Sequence, residues 1–285
     1  MAFQPLHLAS PSRNFVTSSK DCTAKVWDVI NGKVKFTLSG HSKSVQCCAW
    51  SGGNVIITGG QDRTVKLWSG DEGRLLKTLT EHAHWVNYVA LSSEWVLRSG
   101  AFDPINQIVN QQPLPNDDAS LKNLALDRYQ KFMNTQNNQE RMVTCSDDFT
   151  LTLWNLSDKA SKKSVQRMTG HQNVVMNVKF SPDARIIASC ALDRSIRLWN
   201  GQTGQFLSRL CGHVSAVYQI VWSPDSRLLL SGSADSTLKL WTMKTKSFHS
   251  DLPGHADEVF AIDWSPDGSI AASGGKDKLL KLWKR

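Results

Sequence analysis

The stretch Gly254–Trp283, GHADEVFAIDWSPDGSIAASGGKDKLLKLW, decides how the chain is read. In it His255 is followed 18 residues later by Ser273, 22 later by Asp277 and 28 later by Trp283, with two alternating apolar runs between them. Alternation with a period of two marks strands, and Ser265-Pro266-Asp267-Gly268 between the runs is a turn.

The intervals recur. His213, Ser231, Asp235 and Trp241 repeat them without a residue gained or lost, and so do His171, Ser189, Asp193 and Trp199. A Gly-His pair, a Ser-Pro-Asp turn, an Asp six residues before a Trp and a period of 42 residues resemble the WD-repeat family of β-propellers. The fold class implied is all-β: a WD-repeat β-propeller with six recognisable blades, the last lacking its fourth strand, and a loop/helix insertion in the third. A repeat running from end to end makes residues 1–285 a single domain.

Upstream, Thr17, Asp21 and Trp27 keep the same spacing but lack a preceding His, so the chain begins inside a blade. The second copy, His41, Thr58, Asp62 and Trp68, is complete and one residue shorter between His and Asp. Its four strands read as Val45–Trp50, Asn54–Thr58, Thr64–Trp68 and Arg74–Leu79. The third is interrupted. His82 is followed at the expected interval by Ser99 and Asp103 but by no Trp, whereas Thr144, Asp148 and Trp154 appear, correctly spaced among themselves, 45 residues late. Either pair, Ser99/Asp103 or Thr144/Asp148, completes this blade. An insertion of nearly one period leaves a degenerate extra blade as the alternative. Composition favours a surface loop over residues 104–140: DPINQIVNQQPLPNDDAS is polar, while Leu121, Leu124, Ala125, Arg128 and Phe132 fall at helical spacing, predicting a helix over about 119–133 capped by Asp118. In the last repeat, Trp283 is followed by only two residues, so a fourth strand is lacking there, and Met1 enters an inner strand directly. The expectation is a C-terminal part of a longer protein, or a short form of it.

A His, a hydroxyl and an Asp are the parts of a nucleophilic triad. Repetition argues against that chemistry, because an enzyme needs one such set and this chain carries several, with the hydroxyl in both Ser and Thr forms. The alternative is a hydrogen-bond chain from indole to hydroxyl, imidazole and carboxylate inside each blade. No phosphate loop, His-Glu-x-x-His pair or Ser elbow is present. Six cysteines show no Cys-x-x-Cys pair and no metal-ligand grouping. The expectations are therefore no catalytic residue, no metal, no cofactor and no small-molecule substrate. The absence of a long apolar run or a secretory start predicts a soluble chain without a membrane partner. A net charge of +8 and a pI near 9.2 are compatible with an RNA-rich partner without demanding one.

Function is then expected on surfaces. In an inner strand the third and fifth residues after the His share one side near a rim: Trp85 and Asn87, Val174 and Met176, Ala216 and Tyr218, Glu258 and Phe260. By family analogy the residue before each turn Asp faces the same rim: Lys20, Gln61, Asp147, Leu192, Ala234 and Lys276.

A narrower resemblance rests on DLPGHADEVFAIDWSPDG, SGGKDKLLKLW, WNGQTGQF, GHVSAVYQIVWSPDSRLLLSGS, SDDFTLTLW and the interrupted HWVNYVALSSEWVLRSGAFD with LALDRYQK in its insertion. These are similar to the Notchless proteins, a family of large-subunit ribosome assembly factors with a ubiquitin-like domain and an eight-bladed propeller. The resemblance implies the last six of those blades, nuclear and nucleolar work, and docking on precursor large ribosomal subunits through protein and possible rRNA contacts. It also implies a link to the AAA ATPase midasin, made in the family by the ubiquitin-like domain, which these 285 residues lack. The alternative is a generic WD-repeat adaptor, a signalling scaffold or substrate receptor.

Overall fold

A computed structural model describes residues 1–103, 113–157 and 164–284. Its strands form six antiparallel sheets among the described residues. The first contains β1 (Ala2–Phe3), β2 (Asn14–Ser18), β3 (Thr23–Asp28) and β4 (Lys33–Ser39). The second contains β5 (Val45–Trp50), β6 (Val55–Gly60), β7 (Val65–Ser69) and β8 (Leu75–Leu79). The third is built from β9 (Val86–Leu91), β10 (Arg141–Ser146), β11 (Leu151–Asn155) and β12 (Gln166–Met168), with α1 (Glu94–Ser99) and α2 (Asp118–Thr135) between its first two strands. The fourth contains β13 (Val175–Phe180), β14 (Ile186–Ala191), β15 (Ser195–Asn200) and β16 (Phe206–Cys211). The fifth contains β17 (Val217–Trp222), β18 (Leu228–Ser233), β19 (Leu238–Thr242) and β20 (Ser247–Leu252). The sixth has three strands, β21 (Val259–Trp264), β22 (Ile270–Gly275) and β23 (Leu280–Lys284). The all-β class, the six repeats and the insertion in the third stand as expected, with strand ends within two residues of the sequence reading.

Each sheet is a meander because its turns are chemically specified. In the Ser-Pro-Asp turns the serine hydroxyl donates to the Asp two residues on, at 2.6 Å for Ser181 to Asp183 and 2.5 Å for Ser223 to Asp225. The same hydroxyl oxygen accepts the backbone N–H that opens the next strand, from Ile186 at 3.0 Å and Leu228 at 2.9 Å. A short polar side chain thus replaces a backbone partner at the corner. At the following turn the residue after the repeat Asp is left-handed in every copy: Cys22, Arg63, Phe149, Arg194, Ser236 and Lys278 have φ between 63° and 69°. Such a conformation costs an L-residue about 1 kcal/mol, and the Asp carboxylate offsets it by accepting the N–H of the residue beyond, as Asp193 does from Ser195 at 3.0 Å.

Contacts divide the chain into two compact units, Met1–Thr144 with Thr152–Val165, and Cys145–Leu151 with Gln166–Arg285. In the first, Val16, Val26 and Leu38 of the first sheet pack against Trp50, Ile56 and Trp68 of the second. In the second, Ala188, Ile196 and Leu198 of the fourth sheet meet Val217, Ile220 and Trp222 of the fifth. Val221, Leu230 and Leu238 then meet Val259, Ile262 and Trp264 of the sixth. Burial of strand faces between neighbouring sheets is the main stabilising term, since a single meander cannot cover its own apolar face.

The insertion is anchored in the first unit. Helix α2 is capped by Asp117, whose carboxylate accepts the Ser120 N–H at 2.8 Å; the expected cap Asp118 is instead the first-turn acid. Residues 104–112 of the expected loop lie outside the described residues. From α2, Arg128 donates to the Ser99 hydroxyl at 3.2 Å and to the Gly100 carbonyl. Tyr129 stacks on His7, with ring centroids 4.5 Å apart, and His7 Nε2 donates to the Gly52 carbonyl at 3.0 Å. Glu140, buried beside them, accepts from the Gly52 N–H at 3.1 Å and from the Ser93 hydroxyl. Burial pushes its carboxyl pKa upward, against the opposing effect of those donors. A Cβ on Gly52 would lie 2.3 Å from the Tyr129 ring, so only glycine admits the helix this closely. Gly52→Ala is expected to lower stability by about 1–3 kcal/mol through overpacking. In urea unfolding, the cost of Gly52→Ala in a Tyr129→Ala background should be much smaller; additive costs would refute the close-packing account.

Candidate interaction site

The repeated His, hydroxyl, Asp and Trp lie on different strands and meet inside each sheet. In the second sheet His41 Nδ1 is 2.8 Å from Asp62 Oδ2, His41 Nε2 is 2.8 Å from Thr58 Oγ1, and the Trp68 indole donates to the same hydroxyl at 2.9 Å. His171, Asp193, Ser189 and Trp199 do the same with distances of 2.9, 2.8 and 2.9 Å. For His213, Asp235, Ser231 and Trp241 they are 2.8, 2.7 and 2.8 Å. For His255, Asp277, Ser273 and Trp283 all three are 2.8 Å. The first sheet keeps the Trp27 to Thr17 bond at 2.8 Å.

Proton inventory fixes the roles. Asp is acceptor-only when ionised, so imidazole Nδ1 carries the proton and Nε2 accepts from the hydroxyl, which in turn accepts from the indole. Burial holds His41, His171 and His213 below the usual histidine pKa, opposed by the adjacent carboxylates. For Asp235, burial acts to raise the pKa but is outweighed by hydrogen bonds from the Thr237 hydroxyl and His213, and the pKa falls to about 2. Asp193 is lowered in the same way, with His171 and Ser195 as the donors that outweigh burial. The pair is therefore neutral imidazole against carboxylate. Thr58, Ser189 and Ser231 are 0% exposed and Ser273 1%, so these four hydroxyls are shielded from solvent.

The third sheet resolves the doubled signature. His82 Nε2 is 2.8 Å from Thr144 Oγ1 and Trp154 donates to Thr144 at 3.1 Å. Ser99 instead ends α1, its hydroxyl donating to the Trp95 carbonyl at 2.9 Å. Thr144, with the Asp148 turn after it, completes the blade. The reason is local: Ser92 and Ser93 follow β9 directly, and the helical run Glu94–Ser99 takes the place of a second strand.

Of the rim residues singled out by sequence, the structure brings Tyr218, Glu258, Phe260 and Lys276 together in the second unit. The Tyr218 and Phe260 rings are 5.3 Å apart, the Tyr218 hydroxyl donates to Glu258 Oε2 at 3.0 Å, and Lys276 Nζ lies 3.6 Å from both Glu258 Oε1 and Asp257 Oδ1. Burial and the bond to Glu258 raise the Tyr218 pKa, keeping it a neutral donor. Phe260 remains 48% exposed. The others sit elsewhere: Trp85, 38% exposed beside His84 at 5.3 Å, and Asn87 on β9; exposed Lys20 and half-buried Gln61 before their turn Asp; half-buried Asp147 and Met176 in the second unit. Sequence reasoning did not find the Glu140, Ser93, Gly52, Tyr129 and His7 cluster. Its one legible sign was the Gly52-Gly53 pair. Among the described residues no group of three or more His, Cys, Asp or Glu side chains has metal-binding geometry, and no helix is long and apolar enough to cross a membrane.

The family model described as WD domain, G-beta repeat matches residues 6–28, 32–69, 162–200, 204–242 and 246–284. With these matches over more than half its length, the chain belongs to the WD-repeat family and has a β-propeller class of fold. Within that family it is 53% identical over 205 residues to Notchless protein homolog of Arabidopsis thaliana, covering 72% of this chain and 41% of that protein. It is 45% identical over 208 residues to Ribosome assembly protein 4 of Saccharomyces cerevisiae, covering 72% and 39%. It is 47% identical over 186 residues to Protein Notchless of Drosophila melanogaster, covering 65% and 37%. The matched region spans about two fifths of each relative's length.

Two outcomes follow from the buried hydrogen-bond chain. Ser231→Ala leaves His213 and Trp241 without their shared partner and should cost about 1–3 kcal/mol; unchanged thermal unfolding would contradict the network. Because His41, His171 and His213 have folded pKa values below 6.5, the unfolded chain takes up protons first as pH falls. Their contribution is present above 6.5 and is lost progressively on acidification toward the folded values. The melting temperature should therefore fall between pH 7.5 and 5.5, and a flat profile would refute the assignment.

Proposed function

We propose that this chain is a non-catalytic scaffold of ribosome assembly that docks on precursor large ribosomal subunits. The observation carrying this reading is its 45% identity, over 72% of its residues, to a protein named Ribosome assembly protein 4. Two physical features support it. The tetrad hydroxyls are buried and fully used in hydrogen bonds, which favours a structural role over hydrolysis. The Tyr218, Phe260, Glu258 and Lys276 cluster offers an exposed aromatic anchor ringed by both signs of charge, the composition typical of energetically dominant contact points.

On this reading the rim meets a protein surface, and the net charge of +8 steers the chain toward an RNA-rich particle. The work is nuclear and nucleolar, and energy comes from a partner ATPase. Resemblance to the Notchless proteins points to midasin, with the contact made by parts of the relatives outside the matched region. Trp85, Asn87, Met176, Lys20, Gln61 and Asp147 are further contact candidates.

The test is cosedimentation of the tagged chain with large-subunit precursors on a gradient. The wild-type chain should comigrate with them. Phe260→Asp should weaken association at least about tenfold, the scale of one hot-spot side chain, without changing thermal unfolding. Failure of the wild-type chain to comigrate would overturn the assembly role and leave a general adaptor.

A further inference from the structure

The fourth sheet sets two like charges opposite each other where other sheets set a cation against a neutral or acidic side chain. Eight residues after the repeat hydroxyl, the third strand carries Lys25 in the first sheet, Lys66 in the second, Arg197 in the fourth and Lys239 in the fifth. The outer-strand residue in register with it is Thr37 in the first, Thr78 in the second and Asp251 in the fifth. Lys66 Nζ donates to the Thr78 hydroxyl at 3.2 Å, and Lys239 forms an ion pair with Asp251. In the fourth sheet the residue opposite Arg197 is Arg209.

Side chains directly opposite in an antiparallel pair stand about 5 Å apart at Cβ, and like charges there repel. Among the described residues neither guanidinium has an ion-pair or hydrogen-bond partner, and the buried Nε–H of Arg197 is left without an acceptor. The carboxylate whose charge acts on Arg197 is that of Asp193, and it is fully engaged. Its Oδ2 accepts from His171 at 2.9 Å and from the Gln172 N–H at 3.0 Å, and its Oδ1 accepts the N–H and the hydroxyl of Ser195 at 3.0 and 2.7 Å. Arg197 is nevertheless held in place. It is half-buried, its guanidinium stands 5.5 Å from the Phe206 ring, and a Cβ on Gly170 would lie 2.5 Å from its Nη1, so glycine there lets it lie against the backbone. Arg209 is exposed, and Phe206, on the same side of the sheet, is 51% exposed. One fixed and one free guanidinium thus converge beside an open aromatic ring.

We propose that Arg197 and Arg209 bind the phosphate of a phosphorylated serine or threonine in a partner polypeptide, with the Phe206 ring receiving an apolar side chain next to it. Two positive charges at one point match a phosphomonoester, which carries about −1.5 to −2 at neutral pH. A nucleic-acid backbone carries one charge per phosphate and is held by basic side chains spread along it, which a single opposed pair does not provide. Guanidinium groups hold phosphate oxygens through paired N–H donors, and recognition of phosphorylated segments by clustered arginines is a general mode. The bound dianion supplies in the fourth sheet what Asp251 supplies in the fifth. This site lies apart from the Tyr218 and Phe260 cluster, and its test does not depend on any ribosomal partner.

The probe is a labelled, end-capped peptide, Gly-Ala-phosphoserine-Leu-Ala-Gly, titrated against the whole chain by fluorescence anisotropy. Its unphosphorylated form and a short uridine oligonucleotide with the same label are run beside it. Saturable binding of the phosphopeptide is expected, with the unphosphorylated peptide at least about tenfold weaker, the scale of one charge-assisted contact. Arg209→Asp copies the pairing of the fifth sheet and Arg209→Thr that of the second. Each should lower phosphopeptide affinity at least about tenfold while leaving the melting temperature unchanged or raised, because the repulsion is relieved. A merely structural Arg209 would show the opposite, a lower melting temperature and unaltered binding. Two substitutions with precedents in the chain's own sheets keep the test decisive if one of them folds poorly. Equal binding of both peptides, or wild-type affinity in the Arg209 variants, would overturn the proposal. So would displacement of the peptide by inorganic phosphate at the peptide's own concentration, which marks a site for the free ion. Tighter binding of the oligonucleotide that is lost in the same variants would also overturn it, because the ligand is then a nucleic-acid backbone.

Discussion

The second, fourth and fifth repeats each depend on one histidine, His41, His171 or His213, kept neutral between a carboxylate and a hydroxyl. Taking four polar side chains into a sheet is unfavourable unless every proton has an acceptor. Here the count closes. Indole N–H meets hydroxyl oxygen, hydroxyl proton meets Nε2, and Nδ1–H meets a carboxylate that also accepts a backbone N–H, as Asp235 does from Val214 at 3.0 Å. The other oxygen of the same carboxylate holds the turn, accepting the Thr237 N–H at 3.1 Å and its hydroxyl at 2.6 Å. One Asp thereby joins the interior of the sheet to the left-handed residue at its corner, Ser236 with φ 63°. Protonating the imidazole would strand the hydroxyl without its acceptor, which is why acid should act on the sheets from within.

The same constraint explains how the third repeat survives an insertion. A hydrogen-bond chain of this kind needs its partners in space rather than at a fixed interval, and Thr144 reaches His82 across 62 residues. What the insertion requires is an anchor, and α2 has one in Tyr129 and Arg128. The Tyr129 ring lies over Gly52, at the turn between β5 and β6, and Glu140 then leads the chain back into β10 with its carboxyl on the Gly52 N–H. Loop closure over so many residues is entropically modest, because the cost grows only with the logarithm of length. A few well-packed contacts at its base suffice to hold it.

How much was legible in the sequence follows from which interactions are periodic. The strands, the tetrads and the α2 helix were readable because each is written as a spacing, of two, of 42 or of three to four residues. The choice between Ser99 and Thr144 was not, because Ser99 keeps the spacing from His82 while Thr144 keeps the spacing to Trp154, and only three-dimensional proximity to His82 separates them. The helix α1 was missed for a related reason: SSEWVLRSG fits a strand by its place in the repeat, and tertiary context overrides that place. The cluster around Glu140 was invisible because it joins residues 7, 52, 93, 129 and 140, which share no interval. The rim was legible only as positions. Tyr218, Phe260 and Lys276 met, whereas identical arithmetic gave Met176 and Asn87 no role in that cluster.

An interior that repeats cannot by itself distinguish one blade from another, so it cannot encode which partner this particular chain meets. Whatever is particular must lie where the repeats differ. Two such places stand out physically: the Tyr218 and Phe260 pair, which has an acid and a lysine beside it, and the third repeat, where a helix is anchored on the second sheet. The first is rigid, since its aromatics rise from the first residues of inner strands held by buried Val217 and Val259. Rigid anchors lose little entropy on binding, which suits the docking role proposed for this cluster. A chain built this way carries what is particular on its surfaces, while the hydrogen-bonded interior that holds those surfaces in place remains the same in kind from one repeat to the next.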